Sequence, residues 1–178
     1  INDGRSVITY CGHGVQNACV TTNFSNTDVA LLQNKCWPFF WSVACVNGDF
    51  TNGTCIAEAL LQATDTTGPT GCVATFMASI NQTWIPPMCA QEEMVHLLSA
   101  DSVLPKTFAA LSVGGCIKMN NNYGNGGYVM TATWHTFGDP SLQIRNKKPY
   151  LITTAHDSVT YLGATKLTVN VNAVHATA

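Results

Sequence analysis

Charge is scarce in this chain. Only 10% of its 178 residues are Asp, Glu, Lys or Arg, against roughly 25% in soluble globular proteins. Hydrophobic residues make up 46%, so the chain is not a disordered one, which would combine low hydrophobicity with high net charge. The net charge is -2 and the longest basic run is the pair Lys147–Lys148, which excludes the electrostatic footprint of a nucleic-acid partner. No apolar run approaches the roughly 18 to 20 residues of a membrane-spanning helix. There is no C-x-x-C and no H-x-x-x-H, so the usual zinc spacings are missing. Ile1 to Arg5 show no basic stretch followed by an apolar one, so any secretory leader is expected upstream or already removed, and the start at Ile1 reads as that of a processed or excised piece.

What is present is length for one domain with a core, or one domain and part of a second. Eight cysteines (11, 19, 36, 45, 55, 72, 89 and 116) stand among many Asn and Thr. That composition suits an extracellular protein with one or more disulfides, whose pairing spacing does not reveal.

Ser6 to Cys11 is a β-branched and aromatic run ending in Gly12-His13-Gly14, and Phe39 to Cys45 repeats the pattern before Val46-Asn47-Gly48-Asp49. Both read as buried strands running into tight turns. Between them Phe24 to Lys35, with Ser25 and Asn26 as caps, reads as a short crossover helix, so the strands should be a parallel pair. Ile56 to Ala63 reads as helix, Cys72 to Ala78 as a third strand, Met88 to Ser99 as helix, and Thr107 to Met119 as a helix interrupted at Gly114-Gly115. Asn120 to Gly127 reads as a loop, and Tyr128 to Phe137 as a last helix or extended segment. The order describes an α/β sandwich. A boundary follows at Lys147-Lys148-Pro149, after which Thr, Val and Asn dominate and Lys166 to Val171 alternates as a strand does. These last residues are too few to close a sandwich of about seven strands.

In open α/β sheets ligands collect at the carboxyl ends of the strands, where His13 and Cys45 both fall. A thiol needs a base in reach to become a nucleophile at neutral pH, and an imidazole can take its proton or hold a thiolate–imidazolium pair. The backbone N–H groups of Gly14 and Cys45 are candidates for an oxyanion hole. A Cys ending an apolar strand is also often an inert thiol or half a disulfide, and a His beside Gly a turn residue.

Seven blocks carry a resemblance: Tyr10 to Gly14 (YCGHG), Ser42 to Phe50 (SVACVNGDF), Cys55 to Leu61 (CIAEALL), Gly68 to Cys72 (GPTGC), Ala78 to Met88 (ASINQTWIPPM), Gln91 to Met94 (QEEM) and Thr133 to Leu142 (TWHTFGDPSL). In this order they resemble the gingipain family of caspase-like cysteine endopeptidases. The resemblance implies a caspase-like α/β/α sandwich with a mostly parallel sheet over residues 1–148, and the start of an all-β immunoglobulin-like module over 149–178. It implies a secreted or cell-surface enzyme that cleaves protein or peptide substrates after a basic P1 residue. His13 would be the catalytic histidine, Cys45 the nucleophile, and Gly14 part of the oxyanion hole. Trp84 would form a wall of the S1 pocket; Met88 stands where arginine-specific members have Met, leaning toward Arg over Lys.

The family pattern puts the acid that orients the histidine, and the acid at the S1 floor, upstream of Ile1. Asp3, Asp28 and Asp49 match neither position, so an N-terminal chain of the same precursor becomes an expected partner. Cys11 departs from the pattern, standing where the family has a Thr that contributes to S1. No cofactor is expected for the chemistry. A structural calcium is implied near the active-site loops, with the Phe50 carbonyl and the Glu58 carboxylate as its candidates; oxygen ligands suit that ion, and an N-capping Glu58 is the competing reading. Asn23, Asn52 and Asn81 begin glycosylation sequons that matter only in a glycosylating host. His96, His135, His156 and His175 are read as structural. The competing functional class is a catalytically inactive adhesin or binding module that keeps the fold.

Overall fold

The computed structural model describes residues 1–100, 106–145, 151–163 and 166–172. The chain enters strand β1 (Val7–Cys11) and then departs from the crossover helix expected over 24–35. It forms three two-residue strands, β2 (Gly14–Val15), β3 (Ala18–Cys19) and β4 (Phe24–Ser25), and one helical turn, α1 (Asn26–Val29). Before it, a 3-10 turn at Val20–Thr22 ends in Asn23 at φ 54°, a left-handed conformation that Asn tolerates. Ser25 does cap what remains: its N–H donates to Asp28 Oδ2 at 2.8 Å, closing a capping box.

Strand β5 (Phe39–Val43) follows, then α2 (Ile56–Gln62), a small hairpin of β6 (Thr64–Asp65) and β7 (Gly68–Pro69), and β8 (Ala74–Ala78). Every residue of β5 and β8 is buried. Strands covered on both faces have no polar side to show, which is why they read as unbroken apolar runs.

Helix α3 (Ile85–Ser99) begins three residues before the expected start, because Pro86 and Pro87 occupy its first turn, where a missing N–H leaves no helical bond unmade. Helix α4 (Phe108–Tyr123) is not interrupted at Gly114-Gly115. A Cβ on Gly115 would lie 2.6 Å from the Ala90 carbonyl oxygen, and one on Gly114 would lie 2.5 Å from Leu97 Cδ1. The two glycines are the surface on which α4 approaches α3, and their helical cost of about 1 kcal/mol each is offset by that packing. The loop expected over 120–127 is also helical: α4 continues to Tyr123, and α5 (Asn125–Thr131) starts after Gly124 at φ 52°. Asn120 is held there by Thr131, whose hydroxyl donates to its Oδ1 at 2.8 Å. The extended part of the next segment is β9 (Trp134–Gly138).

The sheet order is β1-β5-β8-β9, with the first three strands parallel and β9 antiparallel to β8. On one face Phe39, Trp41, Val43 and Phe76 pack with Met94, Phe108, Leu111, Met119 and Met130 from α3, α4 and α5. On the other, Tyr10, Phe40 and Met77 pack with Ile56, Ala57 and Leu60 of α2 and Val29 of α1. The result is the α/β/α sandwich expected from the alternation of elements.

All eight cysteines are free thiols, which corrects the expectation of disulfides. Cys19, Cys55 and Cys72 sit inside one core and Cys116 inside the other, where each serves as a small hydrophobic side chain. Among the described residues no helix is long and apolar enough to cross a membrane.

The chain divides into two compact units, 1–146 and 147–178. In the second, β10 (Thr154–His156) pairs antiparallel with β11 (Val169–Val171), and Asn172 ties its ends by accepting from Thr153 N–H and donating to the Leu151 carbonyl. The Lys147–Pro149 boundary segment and His175 lie outside the described residues.

Candidate active site

The parallel register of β1 and β5 pairs Cys11 with Val43, and the ladder runs one bond further, with Gly12 N–H donating to the Val43 carbonyl at 3.1 Å. Two residues beyond that pairing on each chain lie His13 and Cys45. Both therefore leave the same end of neighbouring parallel strands, the end where α/β folds collect ligands.

Cys45 is half-buried, in contrast to the core thiols. The Gln82 N–H points at its Sγ from 3.3 Å, and its S–H faces the Gln82 carbonyl at 3.9 Å. The next residue, Val46, has φ 49°, which is costly for a β-branched side chain, on the order of 1–3 kcal/mol. The surroundings hold it there: Val46 N–H bonds the Ile80 carbonyl at 3.2 Å, and Gly48 N–H bonds the Ala78 carbonyl at 2.8 Å. The turn after the thiol is thus strained and fastened to the segment following β8.

His13 is fixed through its backbone. Its N–H donates to Thr21 Oγ1 at 3.0 Å, and its carbonyl accepts from the Tyr10 hydroxyl at 2.6 Å and from Val20 N–H at 2.9 Å. Its ring meets Trp84 edge-to-face with centroids 5.2 Å apart. The histidine and the thiol therefore share the 82–84 segment, one through Trp84 and the other through Gln82.

Gly14 locks the two loops together. A Cβ there would lie 2.4 Å from the Cys45 carbonyl oxygen and 2.9 Å from Ala44 Cβ, so only a glycine permits this approach. Gly14 faces Cys19 in an antiparallel pair bracketed by the Val20-to-His13 bond, the kind whose own N–H groups point out of the ladder. For the Cys45 N–H, too, no acceptor is found among the described residues. These are the two donors that an oxyanion would need.

Burial separates Cys45 from the structural thiols. It pushes Cys19 and Cys72 up to about 12 and Cys55 and Cys116 up to about 11, beyond the range in which a thiolate forms at neutral pH.

Trp84 and Met88 are both substantially exposed at the start of α3, and Cys11 is exposed at the end of β1. Gln91 of α3 donates to the Tyr10 carbonyl at 3.0 Å, drawing this helix onto the end of β1. Trp84 also walls an open, mostly apolar groove of about 590 Å³ with Thr83, Ile85, Pro86, Val129 and Met130. Neither Cys11 nor Met88 is among the residues lining that groove.

The candidate calcium pair does not make up a calcium site by itself. One Glu58 oxygen accepts from Cys55 N–H at 3.0 Å in the capping box of α2. The Phe50 ring packs against His135 and Phe137. Among the described residues no group of three or more His, Cys, Asp or Glu side chains could hold a metal, so a calcium held by these two oxygens would draw its remaining ligands from backbone carbonyls and water. The three aspartates are also engaged elsewhere: Asp28 with Ser25, Asp49 with Thr51, and Asp3 with Arg5 at 3.9 Å. Hydrogen bonds from Ser25 and Thr51 hold the Asp28 and Asp49 carboxyls below the usual range.

Two residues of the site escape sequence reasoning. Gln82 contacts the thiol only because the chain turns back after β8. Asn47, in a sequence that reads as an Asn-Gly turn, is completely buried.

The family model of peptidase family C25 matches residues 1–145. The chain is 41% identical over 152 residues to gingipain R2 of Porphyromonas gingivalis (strain W83), an alignment covering 83% of this chain and 21% of that protein. Its fold matches the crystal structure of the Arg-specific cysteine proteinase gingipain R with a TM-score of 0.86 and 36% identity, covering 97% of this chain and 41% of that one. It matches the complex of Porphyromonas gingivalis RgpB pro- and mature domains with a TM-score of 0.87 and 37% identity, covering 97% and 42%. The chain thus spans about a fifth of that curated relative.

Proposed function

The chain belongs to peptidase family C25, and from that premise we propose that it supplies the thiol, the histidine and the oxyanion donors of a cysteine endopeptidase. The observation that carries this reading is the interlock at Gly14, where the backbone beside His13 lies against the Cys45 carbonyl with no room for a side chain.

In the reaction, His13 takes the Cys45 proton and the thiolate attacks the scissile carbonyl carbon. The developing oxyanion is held by the Gly14 and Cys45 N–H groups. His13 then protonates the leaving amine, and water, deprotonated by the same imidazole, releases the acid and restores the thiol. The group orienting His13 and the acid at the S1 floor would come from chain beyond these residues, since no carboxylate is bonded to His13 among those described. The substrate would be a protein or peptide with a basic P1 residue, Arg over Lys, entering beside Trp84 and Met88; similarity to an enzyme described as Arg-specific supports this. A pro-domain of the same precursor is the proposed partner, and work outside the cell the proposed setting.

Cys45→Ala, in the protein with any flanking chain its gene encodes, is expected to abolish hydrolysis of Arg and Lys fluorogenic peptides and to leave the circular dichroism spectrum unchanged. Undiminished turnover would contradict the assignment of the nucleophile. An inactive binding module, the reading favoured by the missing carboxylate on His13, would show no turnover even before substitution.

A further inference from the structure

The loop bearing His13 and the loop bearing Cys45 are joined by one side chain that takes no part in the chemistry just described. Asn47 is fully buried, and all of its hydrogen-bonding capacity is used. Its Nδ2 donates to the Val15 carbonyl at 2.7 Å and to the Ala18 carbonyl at 3.0 Å, the two ends of the β2–β3 turn. Its Oδ1 accepts from the Ser42 hydroxyl of β5 at 2.8 Å and faces the Cys19 S–H at 3.7 Å. The same Nδ2 would lie 2.9 Å from a Cβ on Gly14. A buried amide with both donors and both lone pairs engaged has one orientation, since any rotation leaves a buried polar group without a partner.

The consequence concerns register between loops distant in sequence. Asn47 stands two residues after Cys45 and belongs to its turn. The carbonyls it holds belong to the hairpin that begins one residue after His13. From the outer side Gln16 makes a second clamp, with Nε2 donating to the carbonyls of Asp49 at 2.6 Å and Asn52 at 2.5 Å. The hairpin is therefore pinned from within by Asn47 and from above by Gln16, with Gly14 closed against Cys45 between them. We propose that Asn47 is a positioning residue that sets the distance from the His13 imidazole and the Gly14 N–H to the Cys45 thiol. This proposal rests on the peptidase reading above.

The test uses Asn47→Asp, which keeps the shape and the Oδ1 acceptor but turns an oxygen toward the two hairpin carbonyls, and Asn47→Ser, which is short and fits the space. Asn34→Ser is the control: Asn34 is equally buried and bonds Gly71 and Cys36 away from the site, so its loss weakens the fold alone. Displacement of reacting groups by about 1 Å costs on the order of 100-fold. Both Asn47 variants are expected to lose about that much kcat per folded molecule, with KM within about threefold. The pH profile of Cys45 alkylation by iodoacetamide should move toward that of the His13→Ala protein. Asn34→Ser should lower the melting temperature and move neither readout.

Unchanged kcat and an unchanged alkylation profile in both Asn47 variants would overturn the proposal, provided Cys45→Ala is inactive; an active Cys45→Ala would overturn the peptidase reading instead. If neither Asn47 variant folds, Asn47 is a folding determinant and the positioning role is withdrawn.

Discussion

Gly14→Ala is expected to lower kcat by about 10²- to 10³-fold, the effect of removing one oxyanion donor, while the protein still folds. The added methyl would meet the Cys45 carbonyl oxygen at 2.4 Å, Ala44 Cβ at 2.9 Å and Asn47 Nδ2 at 2.9 Å. Two of these are held tightly, one as backbone and one as a buried, fully bonded amide. The hairpin must therefore swing away, carrying the Gly14 N–H and His13 with it. Overpacking of this kind costs about 1–3 kcal/mol, well within the stability of an ordinary domain of this size. Activity should fall much further than the melting temperature suggests, with KM little changed, because the lost interaction matters most in the transition state. Equal loss in kcat and folded fraction would mean that Gly14 serves packing only. Steady-state kinetics on protein quantified by its folded signal distinguishes the two.

His13→Ala is expected to cost about 10²- to 10⁴-fold in kcat, the usual contribution of a positioned acid–base group. The substitution removes the ring that meets Trp84 but leaves the backbone bonds at position 13, so the hairpin should keep its place. A second readout separates chemistry from packing. With the imidazole gone, alkylation of Cys45 at neutral pH should slow, because the thiol has lost its base. A variant that retained wild-type alkylation at neutral pH would show that His13 does not act on the thiol.

Much of this arrangement is legible in the amino-acid sequence, and the reason is burial. β5 and β8 are covered on both faces, so their apolar runs leave little ambiguity, and the glycines around His13 mark a turn whatever the rest of the fold. The connections are less legible. The β2–β4 sheet is built from two-residue strands, too short to show a period of two. Gly114, Gly115 and Gly127 look like helix breakers, yet the backbones they approach leave no room for a side chain. Asn47 is the instructive case. After an apolar strand and before a glycine, it has every mark of an exposed turn residue. Only the tertiary structure shows that Val15, Ala18, Cys19 and Ser42 surround it. The family blocks contain Asn47 and Gln82, but nothing in their spacing distinguishes either from its neighbours.

The central claim, that Cys45 is the nucleophile and His13 its base, is tested most directly by an Arg-ended peptidyl chloromethyl ketone followed by peptide mass spectrometry. The account predicts one adduct per chain, on Cys45, and none in the His13→Ala protein under the same conditions. The buried thiols, with Cys19 and Cys72 pushed up to about 12, should stay unlabelled. An adduct on Cys11, Cys36 or Cys89 with Cys45 untouched, or equal labelling of Cys45 without His13, would contradict it.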